Sequence, residues 1–166
     1  QWKVTTQDKK RVEPVPKAIL IHATDPELEL AEQPSTPFPV LGVTTLAALF
    51  PDDWDVSVID EDSQQIENAG DADLVGISTL TINAPHAYEM ADDLRQRGVP
   101  VVMGGMHPSA LPEEALEHCD AVVVGEAEEI FSSVLDDFKR GRMSGMYHGE
   151  LADLSRAPRP RFDLLS

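Results

Sequence analysis

Five short runs of apolar, β-branched residues alternate along this chain with segments of helical spacing, and that alternation limits the folds open to it. AILIHA (18–23), DVSVID (55–60), DLVGIST (73–79), VPVVMGG (99–105) and DAVVVGE (120–126) each read as a buried strand bounded by turn residues. Between the third and fourth runs, Ala84, Ala87, Tyr88, Ala91 and Leu94 recur at helical spacing, and Gly98 ends that helix. After the fifth, Ala127, Ile130, Phe131, Val134, Leu135 and Phe138 form one stripe closed by Arg140 and Gly141. LGVTTLAALF (41–50) reads as a buried helix, residues 24–38 as a loop, and Leu111-Pro112-Glu113-Glu114 as a helix start with acids facing the positive end of the dipole. Strands that are apolar on both faces, joined by helices, form a parallel sheet covered on both sides. The expected fold is α/β: a doubly wound, flavodoxin-like sheet of five parallel strands in three α/β/α layers.

In such sheets a ligand binds beyond the carboxyl ends of the strands, where the strand order reverses. The tips here are His22-Ala23-Thr24, Asp60-Glu61-Asp62, Ser78-Thr79-Leu80, Gly104-Gly105-Met106-His107 and Gly125-Glu126. No G-x-G-x-x-G follows the first strand and no G-x-x-x-x-G-K-[ST] occurs, so neither a dinucleotide fingerprint nor a P-loop is present. Small and hydroxyl groups at two tips and paired glycines at a third instead make a flat-walled slot able to admit a bulky tail.

Charge narrows the partners. Thirteen Lys and Arg against thirty Asp and Glu give a net charge of -17, which disfavours nucleic acid and anionic membranes. Arg95 and Arg97 are the only basic residues between Ala18 and Phe138, and no apolar run reaches membrane-spanning length. Cys119 stands alone, which excludes an internal disulfide or a thiolate cage and fits a reducing cytoplasm.

Residues 72–131, with Ser78-Thr79-Leu80 matching an S-x-L motif and Gly104-Gly105 a G-G motif, resemble the cobalamin-binding domain. The variant G-G-x-H-x-[ST], P-E-E and V-x-G-E, with the proline-led PFPVLGVTTLAALFP (37–51), is most similar to the amino-terminal domain of cobalamin-dependent radical SAM enzymes. The resemblance spans residues 17–166 and implies cobalamin as ligand, with Ser78 and the glycines lining the channel for its nucleotide tail. It implies cofactor contacts at Ser78, Thr79, Leu80, Gly104, Gly105, His107, Gly125 and Glu126; Thr24, Leu41 and Gly42 are placed near the lower corrin face by position alone. Many cobalamin carriers ligate cobalt through the histidine of D-x-H-x-x-G; here that place reads HATDPELELAEQ. The expected state is therefore base-off, without a histidine ligand from that loop.

The resemblance further implies a radical SAM domain in the same polypeptide, with a 4Fe-4S cluster and S-adenosylmethionine, in an enzyme of methyltransferase or cyclase type. One cysteine cannot hold that cluster, so this chain is the cofactor-binding part. We expect a tail at 1–16, the domain at 17–142 and a linker at 143–166, with Gln1 and the RAPRPRFDLL stretch marking a cut from a longer chain. Two readings compete: a cofactor-free docking module of the same fold, and a receiver-like domain binding Mg²⁺ through Asp60-Glu61-Asp62. A receiver needs an Asp at the third strand tip and a Lys at the fifth, where this chain has Ser78-Thr79 and Gly125-Glu126. His107 is read as a loop residue, a helix cap or a group at the corrin edge, and Cys119 as a buried structural thiol.

Overall fold

Each of the five apolar runs forms a strand in the computed structural model, which describes residues 14–26, 40–64, 66, 69–153 and 155–165. The strands are β1 (Lys17–His22), β2 (Asp55–Asp60), β3 (Leu74–Ser78), β4 (Val101–Gly104) and β5 (Ala121–Val124), joined by a sixth, β6 (Gly145–His148). All pair in parallel in the order β2-β1-β3-β4-β5-β6. The order reverses between β1 and β3, as a doubly wound fold requires.

The sixth strand corrects the expected count of five. GMYH lacks the dense apolar run of a central strand because an edge strand has a neighbour on one side alone. Its pairing with β5 from Ala121↔Gly145 to Val124↔His148 also carries the sheet beyond residue 142, into the segment expected to be a linker. Tyr147 is tied down by its hydroxyl, which donates to Asp137 at 3.0 Å, while Arg142 Nε donates to the same carboxylate at 2.6 Å. These two hydrogen bonds hold the Asp137 carboxyl below its ordinary value.

Strand parity decides which helix covers which face. Ile19, Ile21, Val75, Ile77, Val101, Met103 and Val122 pack on one side, under α2 (Ala84–Gln96) and α4 (Pro112–His118). Ala18, Leu20, Val58, Leu74, Val102, Ala121 and Val123 pack on the other, under α1 (Leu41–Ala47) and α5 (Phe131–Lys139). A short helix, α3 (Met106–Ala110), follows β4 directly. It was not foreseen, because MHPSA is too short to show a period.

Three helical expectations shift in detail. α5 begins at Phe131, so Ala127 and Ile130 precede it although both still pack on its core. α1 buries Val43, Thr44, Thr45 and Ala47 but leaves Leu41 exposed, so the helix is two-sided. The loop expected at 24–38 lies mostly outside the described residues, including Glu27 and Glu29.

Candidate functional site

The sheet tips carry a cleft of about 210 Å³ on the face covered by α1 and α5. Its floor is built by parity and register. Gly76 and Ser78 of β3 lie two residues apart, facing the same way, and pair with Val102 and Gly104 of β4; Val123 and Gly125 continue that face on the β5 side. The opposite wall comes from Gly42, Val43 and Leu46 of α1 and from the Glu126–Phe131 segment entering α5. Gly42 and Gly104 leave room there, whereas the space beside Gly76 is taken by Leu20.

The two adjacent glycines serve different ends. A Cβ on Gly104 would meet nothing closer than the Val123 carbonyl oxygen at 3.7 Å, an ordinary contact. Packing therefore does not demand glycine there; a side chain would enter the cleft. Gly105 has φ of 98°, and a Cβ on it would lie 2.9 Å from Ser78 Oγ and 3.0 Å from the Thr79 backbone. Its glycine is demanded by conformation and by close approach to β3. Gly42 resembles Gly104, with nothing within 4 Å of an added Cβ.

Of the sequence-derived candidates, Ser78, Gly104, Gly105, Gly125, Glu126 and Gly42 line this cleft. Gly125, at φ 84°, donates its N–H to Ser109 Oγ at 3.0 Å, which joins the β5 tip to α3. The other five lie outside the lining. Thr79 is buried and stitches strand ends: its N–H donates to the Gly104 carbonyl at 3.2 Å, and its own carbonyl accepts the His107 N–H at 3.3 Å. Leu80 and Leu41 are exposed at the carboxyl edge, with Met106 beside Gly105. Thr24 is tethered toward β2, its N–H donating to Glu61 at 3.0 Å, and its Oγ1 is buried without a partner. The other Glu61 oxygen lies 3.0 Å from His86 Nε2.

His107 is 4% exposed and turned under α2. Its Nε2 lies 2.9 Å from the Tyr88 hydroxyl and 3.2 Å from Glu114, and its Nδ1 lies 3.3 Å from Thr81 Oγ1. Tyr88 in turn stacks on His118, ring centroids 4.2 Å apart, and His118 Nδ1 lies 2.9 Å from Asp92. Burial and the Glu114 carboxylate raise the Tyr88 pKa, so its hydroxyl stays a donor. These contacts pin the β4 turn to the segment after β3 and to α2, a role that none of the three readings of His107 named. Cys119 is buried on this face, its Sγ donating to the Ala115 and Ala121 carbonyls, and burial pushes its thiol up to about 12.

His22, Asp60 and Asp62 bring one ligand atom each within 4.8 Å of one another at the β1 and β2 tips. The receiver reading gains nothing further, since Ser78 ends β3 and Gly125 follows β5 where that chemistry needs an acid and a lysine.

Comparison with known proteins shows the family of the chain. Residues 30–135 match the family described as the B12 binding domain, a stretch holding the whole strand floor and α1. The chain belongs to that family. Over 108 residues the B12-binding domain is 44% identical to the bacteriochlorophyllide d C-8(2)-methyltransferase of Chlorobaculum tepidum, covering 64% of this chain and 24% of that enzyme. It is 34% identical over 115 residues to the bacteriochlorophyllide d C-12(1)-methyltransferase of the same organism, covering 68% and 25%. An uncharacterized methyltransferase of Pyrococcus horikoshii is 35% identical over 117 residues, with 63% and 26% covered. The chain thus spans about a quarter of the length of these curated relatives.

The B12-binding domain has lining residues that motif reading did not pick out. Gly76 is the clearest: a glycine inside a strand, two residues before Ser78, marks a close approach on that face. An added Cβ there would lie 2.7 Å from Leu20 Cδ2. Val43, Leu46 and Phe131 read simply as core, and nothing local in the sequence distinguishes a core position from a wall.

Proposed function

We propose that the cleft takes the nucleotide tail of cobalamin while the corrin lies outside, across the carboxyl ends of β1, β3 and β4. The observation that carries this reading is Gly104, whose absent side chain leaves space in the cleft and relieves no contact within the protein. A cleft of about 210 Å³ has room for a flat heteroaromatic group but not for a macrocycle. Exposed Leu41, Leu80 and Met106 around the mouth offer the apolar surface that a corrin face would cover. With its base in the cleft, the cofactor is held base-off. The segment after β1 supplies no D-x-H-x-x-G histidine to replace that base.

In this role Ser78 and Gly104 form the floor, Gly125 and Glu126 the far rim, and Gly42 the near wall. Gly105, Thr79 and His107 hold the floor in position. Bound cobalamin supplies a cobalt centre able to carry a methyl group, which matches the methyltransferase names of the relatives. The reading extends to a cobalamin-dependent radical SAM methyltransferase. There a 4Fe-4S cluster and S-adenosylmethionine would be held by further polypeptide, since one buried cysteine cannot ligate a cluster.

The test is the visible spectrum of the protein after incubation with hydroxocobalamin and desalting, with a Gly104→Trp variant alongside. Corrin absorption kept by the parent and lost by the variant supports the tail channel, and base-off bands after conversion to the methyl form support the detached base. A colourless parent would favour the cofactor-free docking module instead.

A further inference from the structure

The chain beyond β6 does more than leave the domain. Gly149 donates its N–H to the Val124 carbonyl at 2.8 Å and packs so closely on Glu126 that a Cβ would overlap the Glu126 carbonyl oxygen. Three residues on, the Ala152 N–H donates to the Glu126 carboxylate. Later still, the Arg161 N–H donates to the Thr44 carbonyl of α1 at 2.9 Å, and Leu164 and Leu165 pack on the core that holds Val43 and Ala47. One segment is therefore fastened to both walls of the cleft: the Gly125–Glu126 rim and α1.

α1 needs such a fastening. It has seven residues and no side-chain cap, and the Thr44 hydroxyl turns back to the Val40 carbonyl at 2.8 Å. A helix this short is marginal without tertiary contacts. Glu126 has a matching constraint, since its carboxylate is engaged by the Ala152 amide.

We infer that the segment anchored at Gly149, Ala152 and Arg161 is a strap that sets the distance between the two cleft walls and thereby slows the release of cobalamin. This rests on the proposed tail channel. Arg161 is a positioning residue acting through its backbone N–H, because its guanidinium pairs with Asp163 at 2.8 Å and not with the cleft.

Arg161→Pro removes that one N–H at a φ of -85°, which proline tolerates after Pro160, whereas Arg161→Ala keeps the N–H and loses the guanidinium. The measurements are amide exchange across residues 44–50 in the cofactor-free protein and the dissociation rate of hydroxocobalamin. The strap predicts exchange and dissociation each about tenfold faster in Arg161→Pro, as loss of about one hydrogen bond allows, with Arg161→Ala like the parent. Unchanged exchange in Arg161→Pro overturns the strap. Faster exchange with unchanged dissociation overturns its role in retention. A parent that takes up no cobalamin overturns the tail channel, and with it retention, while exchange still decides whether the strap holds α1. Should Arg161→Pro lose its circular dichroism signature, the decision passes to the second anchor. There Ala152→Pro, which removes the amide donated to Glu126 and leaves the Glu126 side chain in place, should speed release, with Ala152→Ser, which keeps the amide, like the parent; equal release from the two overturns the strap.

Discussion

The two faces of the sheet at the β3 and β4 tips are built from the same four-residue stretches and do opposite things. On the α2 and α4 face, Ile77 and Met103 are buried, and His107, Tyr88 and Glu114 close the edge with hydrogen bonds between side chains distant in sequence. On the α1 and α5 face, Gly76, Ser78 and Gly104 leave a cleft. Because side chains alternate along a strand, each stretch writes one face in large residues and the other in small ones. The packed face provides the rigidity that lets the other stay open: His107 fixes the turn bearing Gly105, and Gly105 fits against Ser78.

The comparison breaks most decisively at the paired glycines. Gly104→Trp should fill the cleft and weaken cobalamin binding on the order of 100-fold or more by absorbance titration. The melting temperature should stay within about 3 °C of the parent, because a Cβ at this position makes only an ordinary contact and the side chain is directed into the cleft. Gly105→Ala should act in the reverse sense. Its positive φ and the contacts at 2.9 to 3.0 Å predict a stability loss of about 1–3 kcal/mol in urea unfolding. Equal effects of the two on stability would remove the distinction drawn between them.

A smaller effect is expected on the packed face. Tyr88→Phe removes the hydroxyl's contacts with His107 and Glu114, which keep their own contact at 3.2 Å, and should cost about 1 kcal/mol. Cobalamin affinity should change by about twofold at most, since Tyr88 lies outside the cleft. A loss of affinity without a loss of stability would return His107 to the cofactor side.

The packed face also carries a pH dependence, confined to alkaline solution and absent near neutrality. The Cys119 thiol is raised from near 9 to about 12 in the folded chain. The unfolded chain therefore releases this proton first as pH rises. The contribution to stability is complete below about pH 9 and is lost progressively between 9 and 12. Cys119→Ala should flatten that part of the stability profile. At pH 8 the parent thiol should react with a disulfide reagent only after unfolding; rapid reaction of the native protein would show that the packed face opens.

Local pattern was enough for five of the strands and for the layered α/β architecture they imply, because apolar runs and helical spacing depend on residues within a few positions of one another. It was also enough for Ser78 and Gly104, whose residue types at strand tips carry the slot. The outcome for Gly105, His107 and Glu126 lies elsewhere. Gly105 faces Ser78 across 27 positions, His107 meets Tyr88 across 19, and Glu126 accepts a hydrogen bond from 26 positions onward. No period or spacing reports such pairs. β6 escaped for a related reason: GMYH becomes a strand through Tyr147 and its ladder with β5, not through its own apolar content.

By itself, then, the chain of residues determined five strands, the layers and the small residues at the carboxyl edge, since secondary structure and face alternation are local properties of the backbone. The tertiary structure alone decided which of two neighbouring glycines opens a cleft, which way the histidine turns, and that the segment after β6 binds both walls. Those are contacts between parts of the chain that only folding brings together, and their geometry is set by packing rather than by propensity.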